Sequence, residues 1–300
     1  MIKKLFAFIF IGLFINPAYA NKTVEFGYGM YVGGLNVADA KAELKISESN
    51  DYSFKAFIFS QGLASFVTAF NFVTESKGKI IDDKIQFKSQ VSSSTSNFGD
   101  TYTVLKRDEN GHTTITKYPD PEAVDIADLP GNPLAKANDP ISSILTLMQQ
   151  IKFNGKCDID MTIVTNHYLY QAKSKSTTSK VLKADNYNIA SGKATSCLVE
   201  FHRLDKQDDI SAYDELDQGE SHKSTYPTFH FIKLDGIPYF IPVSIEATEQ
   251  RFGEFRLNLQ YVKYGDKVYK AEEWDEADSF PSGDIENLKT VKEKLLSEAK

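Results

Sequence analysis

The sequence predicts a mainly β fold: an antiparallel curved sheet, an open barrel or two stacked sheets, with one short helix packed on it. Three observations lead there. Apolar and polar residues alternate with period two through much of the chain, which gives strands one buried and one wet face. Turn signals rich in glycine, such as Gly33-Gly34 and Asn110-Gly111, separate segments that follow one another directly, so antiparallel connections are the simplest topology. Helical spacing with a capping signal occurs at one place in the body of the chain.

The elements follow in order. Val24, Phe26, Tyr28, Met30 and Val32 alternate with residues that include Gly27 and Gly29, and Ala38 to Ile46 alternates small or apolar residues with Asp39, Lys41, Glu43 and Lys45. Tyr52 to Phe59 reads as a strand, and Lys79 to Ser89 as a pair turning at Asp82-Asp83. Thr101 to Arg107 and His112 to Tyr118 flank Asn110-Gly111, a hairpin signal because both residues tolerate positive φ. Tyr118 to Asp139 holds or borders five of the ten prolines and reads as a long surface loop, with a division into two sheet halves near 119–139. Asp139 caps the expected helix, Pro140 suits its first turn, and Ile141, Ile144, Leu145 and Met148 share a face. Strands return over Cys157 to Val164, His167 to Ala172, Tyr187 to Ile189, Ala194 to Phe201, Phe229 to Leu234, Tyr239 to Ala247 and Phe255 to Val262. Lys206 to Ser224 is a polar, acidic loop. The β-rich domain is expected over 21–265, and a charged tail over 266–300 with a short helix from Ile285 to Leu296.

The first twenty residues read as an export signal. Lys3 and Lys4 precede an apolar run from Leu5 to Ile15, Pro17 breaks it, and Ala18-Tyr19-Ala20 places small residues where a signal peptidase cuts, after Ala20. The run is too short for a bilayer core, which takes about 20 residues. The competing reading is a membrane-anchoring first helix. Export places the rest of the chain in the periplasm, with no stable membrane insertion after cleavage. Net charge is −7 with no basic stripe, which argues against nucleic acid and against anionic lipid surfaces.

Two cysteines occur, Cys157 and Cys197. In an oxidising compartment such a pair usually forms a disulfide. Two buried thiols or a metal pair are the alternatives, and no C-x-x-C spacing supports redox or zinc chemistry.

Catalytic signals are sparse. His112, His167, His202, His222 and His230 show no metal-ligand spacing, so no metal and no cofactor is expected. Asp158 and Asp160 would share a strand face, which reads as an ordinary solvent side. Asp108 to Gly111 reads as a hairpin turn and lacks the acidic alternation of a calcium loop. A nucleophile elbow and a phosphate loop are both absent. One apolar stretch stands out: Phe57, Phe59, Leu63, Phe66, Phe70 and Phe72 are candidates to line an apolar ligand, against the plainer reading of core packing.

Several stretches, taken in order, resemble the exported bacterial family called domain of unknown function 3108. They are Phe26-Gly27-Tyr28 through Val37, Gly62-Leu63-Ala64-Ser65-Phe66 with Glu75-Ser76-Lys77-Gly78, Asp139-Pro140-Ile141-Ser142-Ser143, and Leu234-Asp235-Gly236-Ile237-Pro238 through Val243 with Gly253. The Cys157 and Cys197 pair matches the bridge expected in one branch of that family. Asn166-His167 stands where that branch tends to place an Asp-Gly turn. The resemblance implies a periplasmic β-rich fold and brings no activity, ligand or catalytic residue. The expected function is thus a non-enzymatic periplasmic protein that binds an apolar small molecule or an envelope component on a curved sheet. The alternatives are an assembly module for another envelope protein and a hydrolase with an unfamiliar site.

Overall fold

A computed structural model of the chain describes residues 22–62, 65, 69–97, 99–118, 133–165, 168–204, 226–249, 253–272 and 274. The segments where an export signal (1–20), a polar loop (206–224) and a short helix (285–296) are expected, and residues 119–132 of the Pro-rich stretch, lie outside them. The strands are β1 (Lys22–Val32), β2 (Leu35–Ile46), β3 (Asp51–Ser60), β4 (Phe70–Ile81), β5 (Lys84–Ser96), β6 (Gly99–Arg107), β7 (Thr113–Tyr118), β8 (Ile159–Val164), β9 (Leu169–Ser176), β10 (Lys180–Leu182), β11 (Gly192–Arg203), β12 (Thr228–Ile232), β13 (Ile241–Glu249), β14 (Gly253–Tyr264) and β15 (Lys267–Lys270). A 3-10 turn covers Pro133–Lys136, and helix α1 covers Pro140–Asn154.

All fifteen strands join one sheet in the order β7-β6-β5-β4-β3-β2-β1-β14-β13-β12-β11-β9-β8, with β10 beside β11 and β15 beside β14. Strand β1 pairs antiparallel with both β2 and β14, so it joins the strands before the Pro-rich stretch to those after it. The sheet is open and curled around a concave face that α1 packs against.

Local chemistry accounts for the turns. Gly33 and Gly34 both take positive φ (56° and 85°), as do Asp82 and Asp83 (48° and 63°), and two such residues make the tight turn that matches strand twist. At the β6–β7 hairpin only Gly111 goes positive, and the Asp108 carboxylate accepts the Asn110 and His112 N–H groups instead. The expected strand at Tyr187 to Ile189 is a turn: Asp185 and Asn188 form an isolated bridge, and Asp185 accepts the Tyr187 N–H. Ile189 then donates its N–H to Leu259 O of β14 (3.0 Å), a carbonyl that lies past the last residue β13 pairs with. Asn188 Nδ2 donates to Val243 O (3.3 Å) and Tyr187 packs edge-on against Tyr31, so docking on the sheet sets this short apolar run. Gly265 opens a further turn, so β15 extends the sheet to Lys270, past the expected start of the tail at 266.

The two ends of the sheet are stitched by residues 134–139. Asn138 bridges β8 in parallel, donating to Thr162 O and accepting from Val164 N–H, both at 2.8 Å. From β6, Arg107 donates to Leu134 O (3.2 Å), to Ala137 O, and to the β7 residue Thr113 (3.0 Å). Leu134 and Ala137 are buried against Phe87 and Leu105 on one side and Val164 and Leu169 on the other. This small cluster closes the curl where no strand ladder does.

Asp139 follows at once and caps α1. Its carboxylate is fully buried and accepts the N–H groups of Ile141 (3.0 Å) and Ser142 (3.3 Å) and the hydroxyls of Ser142 and Ser76. Tyr52 on β3 completes the cluster through Ser142 Oγ at 2.6 Å. Burial pushes the Asp139 carboxyl above its usual range, against the pull of those donors. Gly155, at φ 66°, ends the helix in the left-handed conformation.

Candidate functional site

The candidate site is the concave face at the end away from α1. Residues directly opposite in an antiparallel pair point to the same side. The register Phe229↔Ile245, Ile245↔Leu257, Leu257↔Met30 and Met30↔Ala38 therefore sets a transverse apolar row across β12, β13, β14, β1 and β2. Ile58 and Phe72, opposite one another on β3 and β4, continue the same face. Phe229, Leu257 and Ile58 pack on the main core, and every member of the row except Ala38 is half-buried. Six residues separate Ile58 from Tyr52, where α1 docks, which is about 20 Å along a strand. Among the described residues, α1 packs at one end of the concavity and these side chains line the other.

The structure parts the residues that the sequence grouped. Phe57 and Phe59 stack on each other (centroids 5.0 Å apart, 24° between planes) in a separate cluster with Val73, Val91 and Val104, on the face opposite Ile58. Phe70 and Phe72 alternate onto the concave side with Ile58. Leu63 and Phe66 lie outside the described residues. The row itself was hard to see in sequence, because each strand contributes a single member to it.

Next to α1 the concave face narrows to a crevice. Leu44, Ile46, Tyr52, Ile80 and Ile85 line it from the sheet, Leu145, Met148, Gln149 and Lys152 from the helix, and Tyr239 and Phe240 from the approach to β13.

Cys157 and Cys197 form the disulfide, both fully buried in the main core. The bridge ties the segment after α1 to β11, and Cys157 N–H donates to Ser176 Oγ of β9 at 2.9 Å. Asp158 is exposed and accepts the Ser176 N–H at 2.6 Å, Asp160 is exposed, and the two make no cleft. His112 and His202 are exposed, whereas His167 and His222 lie outside the described residues.

His230 is the histidine whose setting the sequence did not signal. It is buried on β12, with Ser196 Oγ at 2.9 Å from Nδ1 and Glu246 Oε2 at 3.4 Å from Nε2. A serine, an imidazole and a carboxylate in that order can activate a nucleophile. Here Ser196 is 2% exposed, and Lys180 of β10 holds both Glu246 oxygens (2.6 and 2.8 Å). A nucleophile sealed from substrate and a carboxylate already paired with a lysine suit a tie between β10, β11, β12 and β13. The His230 hydrogen bond, followed by Lys180, lowers the Glu246 carboxyl from 4.5 to about 2. A carboxyl lowered in the folded state contributes stability above its unfolded pKa of 4.5, and that contribution is lost as pH falls through about 2. Glu246→Gln is therefore expected to lose stability at pH 6 and to show a flatter acid limb than the parent. Urea midpoints at pH 6 and pH 3 check this, and parallel losses in both proteins would rule out the tie.

No family model matches the chain, and no curated protein does. Among solved structures, the chain is similar to a β-barrel-like protein of domain of unknown function DUF1849 from Brucella abortus, at 10% identity and a TM-score of 0.49, over 82% of this chain and 98% of that one. A putative outer membrane lipoprotein-sorting protein domain from Vibrio parahaemolyticus aligns at 10% identity and a TM-score of 0.28, over 85% of this chain and 88% of that one. Among the described residues, no helix is long and apolar enough to cross a membrane.

Proposed function

We propose that the protein is a non-enzymatic periplasmic binding module that holds an apolar guest against the concave face of its sheet. One observation carries this reading. The row of Phe229, Ile245, Leu257 and Met30, with Ile58 and Phe72, stays half-buried where the concavity is not filled by α1. Binding surfaces for apolar molecules are concave and lined by aliphatic and aromatic side chains. The Cys157–Cys197 bridge and the expected export segment support a periplasmic location, since a disulfide persists in an oxidising compartment. The resemblance to domain of unknown function 3108 points to the same compartment and fold.

The test is binding of a fluorescent apolar probe such as N-phenyl-1-naphthylamine, with native mass spectrometry of the gently purified protein. Wild-type protein is expected to take up the probe, and Ile245→Asp or Met30→Asp to bind it at least about tenfold more weakly, because burying one such side chain is worth about 1.5–3 kcal/mol. A melting temperature close to that of the parent shows that the fold is kept. A wild-type protein that takes up no probe and carries no guest would defeat the proposal.

A further inference from the structure

The concave face changes character where the apolar row ends. From Ile58 and Phe72 the register runs on to Ser94 of β5 and Thr101 of β6, and one step deeper it reads Thr74, Ser92, Thr103 and Lys117 across β4 to β7. Strands β4 to β6 therefore turn hydroxyls into the curl, while Val73, Val91 and Val104 form an apolar cluster on the opposite face. An antiparallel sheet with one wet face normally does the reverse. Burial shows that the hydroxyl side lies inside: Thr74 is 2% and Thr103 5% exposed. Thr74 is satisfied by Gln90, whose Nε2 donates to its Oγ1 at 3.1 Å. Ser92 and Ser94 are half-buried, and their hydroxyls keep accessible surface and make no hydrogen bond among the described residues. Neither row holds an acidic side chain.

We propose that the guest is an amphiphile with an uncharged, hydroxyl-bearing head, a glycolipid-like molecule whose tail lies on the apolar row and whose sugar lies on Ser92 and Ser94. This rests on the apolar-face reading and names the class of guest. A serine hydroxyl both donates and accepts, as does each hydroxyl of a sugar, so contacts between them form in either direction. A carboxylate or phosphodiester head only accepts, and it brings a charge to a wall of neutral hydroxyls. Lys117 is the one cation in the two rows, and it stands two strands from Ser92, about 10 Å away. A head seated beside Phe72 therefore meets the serines first. A purely hydrocarbon guest would cover both hydroxyls and leave them without a partner, which costs free energy and selects for a head that supplies one.

The experiment follows displacement of N-phenyl-1-naphthylamine from the full-length protein by decyl β-D-maltoside, decyl tetraethylene glycol ether and decanoate, each below its micelle concentration. The three share a tail and differ in the head: a sugar, a neutral polyether and a carboxylate. The maltoside is expected to displace the probe at about tenfold lower concentration than either of the others, as one or two added hydrogen bonds would give. Ser92→Ala with Ser94→Ala should remove that preference and leave uptake of the probe and the melting temperature as in the parent. Equal displacement by maltoside and ether would overturn the proposal, and so would a sugar preference that survives the double variant. Decanoate as the strongest competitor would overturn it in favour of a charged head at Lys117. Absence of probe uptake by the parent would defeat the apolar-face reading and this one with it, whereas uptake without a sugar preference defeats this one alone.

Discussion

Replacing Cys157 and Cys197 together by alanine is expected to lower stability by about 4 kcal/mol. The two residues are 40 apart in sequence, and the chain-entropy cost of leaving a loop of that length open is about 4 kcal/mol. Both sulfurs sit in the main core, so alanine is the replacement that adds no buried hydroxyl. The bridge also fastens the segment leaving α1 to β11, beside β9. Its loss should therefore loosen the helix before it loosens β1 to β4. Urea unfolding of the variant and of the reduced parent measures the total, and hydrogen exchange in α1 measures the local part. A difference below about 1 kcal/mol would show that the bridge is an ornament of the compartment.

Asp139→Ala comes second, at about 3 kcal/mol. Removing a helix N-cap costs about 1 kcal/mol, and stranding buried hydroxyls adds about 1–3 kcal/mol. Ser76 and Ser142 both direct their hydroxyls at this carboxylate, and Tyr52 is tied to it through Ser142. Asp139 also begins α1 directly after Asn138, which bridges β8, so losing the cap affects the stitch between the sheet ends as well. Asp139→Asn should keep most of the stability, because its oxygen can still accept from Ile141 and Ser142. The two proteins should differ in pH dependence. A carboxyl raised by burial contributes stability that is fully present below its unfolded value of 3.8 and is lost as pH rises through the raised folded value. The asparagine variant lacks that slope. Thermal melts at pH 3, 5 and 7 check both statements, and an alanine variant within 1 kcal/mol of the parent would show that the cluster does not seat the helix.

How far each feature could be read in advance follows from its range along the chain. The turn at Gly33-Gly34, the turn at Asp82-Asp83 and the Asp139-Pro140 helix start are set by neighbouring residues, so local chemistry reveals them. Strand β5 was legible as far as Ser89. Its continuation through the serine-rich run to Ser96 has no apolar alternation, and it is a strand because β4 and β6 pair with it on both sides. The stretch at Tyr187 to Ile189 failed in the other direction, since three residues of strand type turn and dock on β14. The aromatic set shows the same limit. Phe57 and Phe72 are rich in the same chemistry, but strand parity and the β3–β4 register send them to opposite faces.

From sequence alone came the mainly β class, the export reading, the single capped helix and the expectation of a bridge between Cys157 and Cys197. Each rests on residues whose effect is local, or on a count of two cysteines. The tertiary structure decided how one sheet accepts strands from both sides of β1, and where α1 sits inside the curl. It also decided which side chains meet at the apolar row and at His230. Those are contacts between residues tens to hundreds of positions apart, and their geometry depends on register and curvature. The apolar row exists because the ladder places Phe229, Ile245, Leu257 and Met30 at one height on adjacent strands.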